Sequence, residues 1–195
     1  AMVALAWPLG AAAQGAGSDS LLLGYADGGF ESLPDAGETL ANMNGVLRQV
    51  TRSPVSFIDA GFPLGDVQGQ LEFSLGVPLT LTGGASGIRY RGKISGDNGV
   101  AFIESLAAKL NLDWAVGRSA IYLSPEGATE TANFDVTSPE VGYRIVELAR
   151  RSFEGMGSNI QVMLRQGQVS ITGIPAWVDN VATVFLPALI RVAED

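Results

Sequence analysis

Two carboxylates, Asp59 and Asp66, stand seven positions apart in the 195-residue sequence, either side of an expected helix start. Paired acids of this kind could divide the acid and base roles of glycoside cleavage, but no aromatic sugar platform accompanies them. Asp66 also fits a structural role, since a carboxylate at a helix N-terminus is favoured by the helix dipole. The run Thr82-Gly83-Gly84-Ala85-Ser86-Gly87 is rich enough in glycine to suggest a phosphate loop. It lacks the spacing and the lysine of such loops and opens no helix, so it reads as a tight strand connection. Arg89, Arg91 and Lys93 alternate along one strand and form a local basic stripe. Such a stripe is either a solvated strand face or a contact for acidic groups of a neighbour, with Glu140, Glu147 and Glu154 as matching acids.

Composition narrows the chemistry. The chain holds no histidine and no cysteine. That removes His-based general catalysis, Cys–His pairs, cysteine zinc sites, iron–sulfur ligation and disulfides. The net charge of −8 argues against nucleic acid as a partner, because phosphate binding needs a basic face. Carboxylate chemistry, a bare Ser or Lys nucleophile, or no chemistry at all remain. No catalytic, cofactor-binding or metal-ligating set is singled out, and the expectation is a non-enzyme.

The elements that must carry these residues follow from hydrophobic spacing. Residues 1–13 include Met2–Ala13, an uncharged apolar run ending in Ala11-Ala12-Ala13, which matches the apolar core and small-residue cleavage site of an export signal. The run is too short to span a bilayer. Residues 14–52 read as a linker with one helix from Glu38 to Val50, with Leu40, Met43, Val46, Leu47 and Val50 at helical spacing. From Ser53 the pattern sharpens. Val55 and Phe57 mark a strand; Leu64, Val67, Leu71 and Leu75 mark a helix closed by Gly76. Val77 to Leu81 and Ile88 to Ile94 read as strands. Asp97 or Asn98 caps a helix with Phe102, Ile103, Leu106 and Leu110 on one face. Leu112–Val116 and Ile121–Leu123 read as a hairpin, with Trp114 in the core.

A polar stretch, Ser124–Thr131, separates this unit (53–124) from a second (132–195). There Phe134 and Val136 begin a strand, and Ser138 caps a helix with Pro139 at its first position. Ile160–Leu164 and Val169–Ile171 pair across the Gln166-Gly167 turn. A last helix starts at Pro175 and is kinked or shortened by Pro187. Trp177 at its start serves either as an internal packing staple or as an interface residue. The fold class is α+β, as two small sheet-plus-two-helix domains in tandem. Domains this small bury limited surface alone and gain from partners.

The segment SPVSFIDAGFPLGDVQGQLEFSLGVPLTLTGGASG, followed by IRYRGKISG, AFIESLAAKLNLDW and AVGRSAIYLSP, resembles the short N-terminal domain shared by secretins and TonB-dependent receptors. Phe57-Ile58, Leu64, Val67 and Leu71, Leu112-Asp113-Trp114 and Ile121-Tyr122-Leu123 carry the match. Residues 132–195, with Gln168–Pro175 as a strand-to-helix turn, resemble a second ring-building domain of secretins. The order looks most like the periplasmic part of a type III secretion secretin, possibly the small chain of a split secretin, since no barrel domain follows. The resemblance implies a non-catalytic periplasmic, outer-membrane-associated subunit. Its expected partners are a homo-oligomeric ring or a secretin barrel subunit, and inner-membrane secretion ring proteins. The interface candidates are then Arg89, Arg91, Lys93, Glu140, Glu147 and Trp177. The alternative is a signalling domain of a TonB-dependent receptor, in which residues 132–195 would not form a second ring domain.

Overall fold

The computed structural model describes residues 34–194; the expected export signal and most of the expected linker lie outside them. In chain order the elements are α1 (Pro34–Gln49), β1 (Val55–Pro63), α2 (Leu64–Leu75), β2 (Leu79–Leu81), β3 (Arg89–Gly96), α3 (Gly99–Leu110), β4 (Leu112–Val116) and β5 (Ile121–Pro125). There follow β6 (Glu130–Asp135), α4 (Pro139–Ser152), β7 (Gln161–Arg165), β8 (Gln168–Gly173) and α5 (Thr183–Glu194). Strands β1 and β3 form an antiparallel ribbon; β2, β5 and β4 form a mixed sheet in that order, and β6, β8 and β7 an antiparallel one. The architecture is α+β, as the alternation of patterns implied.

The helices form where apolar residues recur every three or four positions. α2 buries Leu64, Val67, Leu71 and Leu75 and ends at Gly76, whose φ of 79° is the left-handed cap that lets its N–H reach the Glu72 carbonyl. α3 buries Phe102, Ile103, Leu106 and Leu110, and the Asn98 side chain caps it by accepting from the Ala101 N–H at 3.0 Å. Ser138 caps α4 in the same way at 3.2 Å, with Pro139 in the first turn.

Three boundaries differ from the sequence pattern. α1 starts before Glu38, and it is no linker helix: Leu40, Met43 and Val46 are buried, and the helix packs against α5 and β4. The polar stretch 124–131 shrinks to residues 126–129, because Ser124 and Pro125 close β5 while Glu130 and Thr131 open β6. The last helix is divided. A helical turn at Pro175–Trp177 passes into a π-helical stretch, Val178–Ala182, before α5 begins, and Pro187 sits inside α5. Proline lacks the N–H that would bond four residues back, so a uniform α-helix through 175–194 is disfavoured there.

The two units share one core. A single buried cluster runs from Leu40 to Ile190 and includes residues of every described helix longer than one turn. The outer edge of β4 is covered by residues that follow α4. The Val116 N–H bonds the Met156 carbonyl at 2.6 Å, the Ser158 N–H bonds the Trp114 carbonyl at 2.8 Å, and Ala115 bridges to Gly157 between them. Glycine is required at 157, since a Cβ there would lie 2.4 Å from the Trp114 carbonyl oxygen. An edge strand that would otherwise present free N–H and C=O groups is thereby closed within the chain.

Candidate functional site

Two sites emerge when the polar side chains are followed to their partners. One is a junction inside the molecule, the other an open surface.

The junction centres on Asp113. The Leu-Asp-Trp alternation would place this carboxylate on a solvated strand face, yet it is buried. Its Oδ1 accepts from the Ser158 hydroxyl at 3.1 Å and from the Asn159 side-chain amide at 2.7 Å, and Oδ2 accepts from the Gly127 N–H at 3.1 Å. Ser158 Oγ also accepts from the Trp114 N–H at 2.9 Å. One carboxylate thus gathers three donors from two separate segments, the 126–129 connection and the stretch after α4. Burying a charge is tolerated where its lone pairs are met in this way.

Trp177 belongs to the same junction. It is fully buried, its indole N–H bonds the Val116 carbonyl at 3.0 Å, and its ring meets Phe153 edge-on at 5.0 Å between centroids. Of the two roles open to it, the internal one holds, which corrects its place among the interface candidates: a side chain with no exposed surface in the single chain has nothing to offer a neighbour.

The open surface is the β1–β3 ribbon. Register places Ile58 opposite Lys93, Ala60 opposite Arg91 and Pro63 opposite Arg89. Arg89, Arg91 and Lys93 are all exposed on one face, as their alternation implied. On β1, Ile58 is 74% exposed and Phe62 56%. Asp59 explains why Phe62 turns outward. Its buried Oδ1 accepts from the N–H groups of Gly61 (2.9 Å) and Phe62 (3.0 Å), fixing a bulge between Ala60 and Pro63 in which Gly61 takes φ 101°. Arg89 and Arg91 donate to the carbonyls of Gly61 (3.1 Å) and Ala60 (3.3 Å), so they also brace this bulge. Asp59 is therefore a backbone bracket, while Asp66 lies exposed in the first turn of α2. The exposed Ile58 and Phe62 escaped the sequence pattern because both sit at positions expected to be inward or turn-bound.

The remaining candidates separate. Glu140 is exposed in the first turn of α4; Glu147 pairs with Arg151 on the same helix. No ion pair joins them to the β3 cations among the described residues. The Thr82–Gly87 run is a strand connection: Thr82 bonds the Leu123 carbonyl through both its N–H (2.9 Å) and its hydroxyl (3.2 Å), and Ala85–Gly87 form one 3-10 turn. Glu72 does a similar stitching job. Its Oε1 accepts from the Leu79 N–H at 2.9 Å and from Gln68 at 3.0 Å, and these bonds hold its carboxyl below the usual carboxylate range. No helix among the described residues is long and apolar enough to cross a membrane.

No protein-family model matches the sequence, and no curated protein does. Solved structures do. A chain of the Salmonella SPI-1 injectisome base, in the structure of InvGN0N1 with SpaPQR and PrgHK, superposes with a TM-score of 0.53 at 19% identity. The match covers 72% of this chain and 96% of that one. A second match, to the basal-body proteins InvG, PrgH and PrgK of the same Salmonella type III secretion injectisome, has a TM-score of 0.45 at 20% identity. It covers 71% of this chain and 27% of that one. The class that the fold defines is thus that of the small α+β chains of a secretion-machinery base. More particularly, the fold is type III secretin-related, and at these identities the likeness is one of fold.

Proposed function

We propose that this chain is a non-catalytic, ring-forming periplasmic segment or subunit of a type III secretion secretin, seated beneath an outer-membrane channel and facing inner-membrane ring proteins. The observation that carries the reading is the fold match, which spans nearly all of an injectisome-base chain. The organisation of the chain supports it. Its two units dock through Asp113, Trp177 and the covered β4 edge into one stiff block. The outward β1–β3 face leaves Ile58, Phe62 and three cations unmatched by carboxylates, which suits a contact with an acidic, partly apolar neighbour.

Co-expression with a candidate secretin barrel, followed by negative-stain microscopy, tests the reading. Joint ring particles are expected; separate elution and no rings would overturn it. The double charge reversal Arg89→Glu with Arg91→Glu is expected to reduce cross-linked assembly at least several-fold while circular dichroism stays unchanged. Full assembly of that variant would remove the stripe from the interface.

A further inference from the structure

The ribbon face has a matching segment within its own chain. Residues 18–33 read SDSLLLGYADGGFESL and carry Asp19, Asp27 and Glu31 together with Leu21, Leu22, Leu23, Tyr25 and Phe30. No lysine or arginine precedes Arg48, so this stretch is purely acidic and apolar. The β1–β3 face is its complement: Ile58 and Phe62 stand exposed on one strand, beside Arg89, Arg91 and Lys93 on the other. The cations are held toward this face by bonds to the ribbon's own carbonyls, not by carboxylates. We infer that, in the free chain, residues 18–33 dock on the outer face of the β1–β3 ribbon, acids on the cations and apolar side chains on Ile58 and Phe62.

Geometry and tethering allow it. Sixteen extended residues span about 50 Å. They join the start of α1, a helix about 24 Å long, whose far end leads directly into β1. A tether of this length holds the segment at an effective concentration of about 1 mM or more. Contacts too weak to recruit a free peptide therefore suffice to keep the face covered. Salt should loosen the dock, because the charges lie at the surface. The inference concerns the free chain and does not rest on the ring reading; a docked segment would compete with any ring neighbour for the same face.

The absence of cysteine makes the test direct. A nitroxide at Ala26→Cys in the full-length, 15N-labelled chain reports proximity through line broadening. Broadening several-fold stronger at Ile58–Phe62 and Arg89–Lys93 than on the outer face of β6–β8–β7 is expected. Adding Asp27→Lys and Glu31→Lys should reduce it at least twofold, as should 0.5 M salt. Broadening no stronger on the ribbon than elsewhere, or unchanged by the two lysines, would overturn the proposal. Mixing nitroxide-labelled 14N chain with unlabelled 15N chain separates the occupants. Ribbon broadening of equal strength in the mixture would assign the face to a second copy and overturn docking within one chain.

Discussion

Replacing Asp113 tests whether one buried carboxylate couples the two units. Asp113→Ala removes three acceptor contacts, to Ser158, Asn159 and Gly127. Hydrogen bonds to a charged group contribute about 1.5–3 kcal/mol each in isolation, but these three are not additive. Water can enter the surrounding cleft, and removing the carboxylate also relieves the cost of burying it. We expect a net loss of about 3 kcal/mol, or a fall in Tm of about 6–12 °C. Asp113→Asn is the sharper variant. It keeps an oxygen for Ser158 and Asn159 and sets an NH2 group against the Gly127 N–H. One bond is lost and two donors face each other, so about half the alanine loss is expected. Urea unfolding followed by tryptophan fluorescence reads both variants, and Trp114 and Trp177 lie at the junction itself. Hydrogen exchange adds a local readout: the Trp114 amide, bonded to Ser158, should lose protection before the amides of α3. An alanine loss below about 1 kcal/mol, or equal losses for asparagine and alanine, would refute the reasoning.

Two further outcomes follow. Trp177→Phe keeps most of the buried ring but gives up the bond to the Val116 carbonyl, and should cost about 1–2 kcal/mol against about 3–5 for Trp177→Ala; near-equal losses in chemical denaturation would show that the indole N–H contributes nothing. Glu72 has its pKa lowered in the fold, so its contribution is complete above the unfolded carboxylate pKa and fades as pH falls through the lower folded value. Stability measured between pH 6 and pH 3 should therefore fall less steeply in Glu72→Gln than in the parent chain, by under about 1 kcal/mol because the site is largely open to solvent.

Much of this fold is legible in the sequence because it is local. Leu64, Val67, Leu71 and Leu75 repeat at helical spacing, Asn98 and Ser138 stand where helices need caps, and Gln166-Gly167 takes the positive φ values of a tight hairpin turn. The outward alternation of Arg89, Arg91 and Lys93 follows from strand period alone. The junction was not legible. Asp113 breaks the alternation of its strand only because residues 157–159, more than forty positions later, lie over it. Trp177 was ambiguous for a similar reason, since its partner is a backbone carbonyl sixty-one residues away. The parallel pairing of β2 with β5 is equally non-local. The exposed Phe62 depends on a bulge set by the Asp59 carboxylate, whose neighbours in sequence suggested acid chemistry instead.

The packing of α1 against α5 also sets the order in which the molecule can be completed. The first described helix and the last lie more than a hundred residues apart along the chain, yet each covers part of the same core. During synthesis or threading, α1 has no final seat until residues 183–194 arrive, and closing so long a loop is entropically slow. Until then its apolar stripe of Leu40, Met43 and Val46 remains open to wrong partners. A chain cut short before α5 would therefore fail at its beginning as well as at its end.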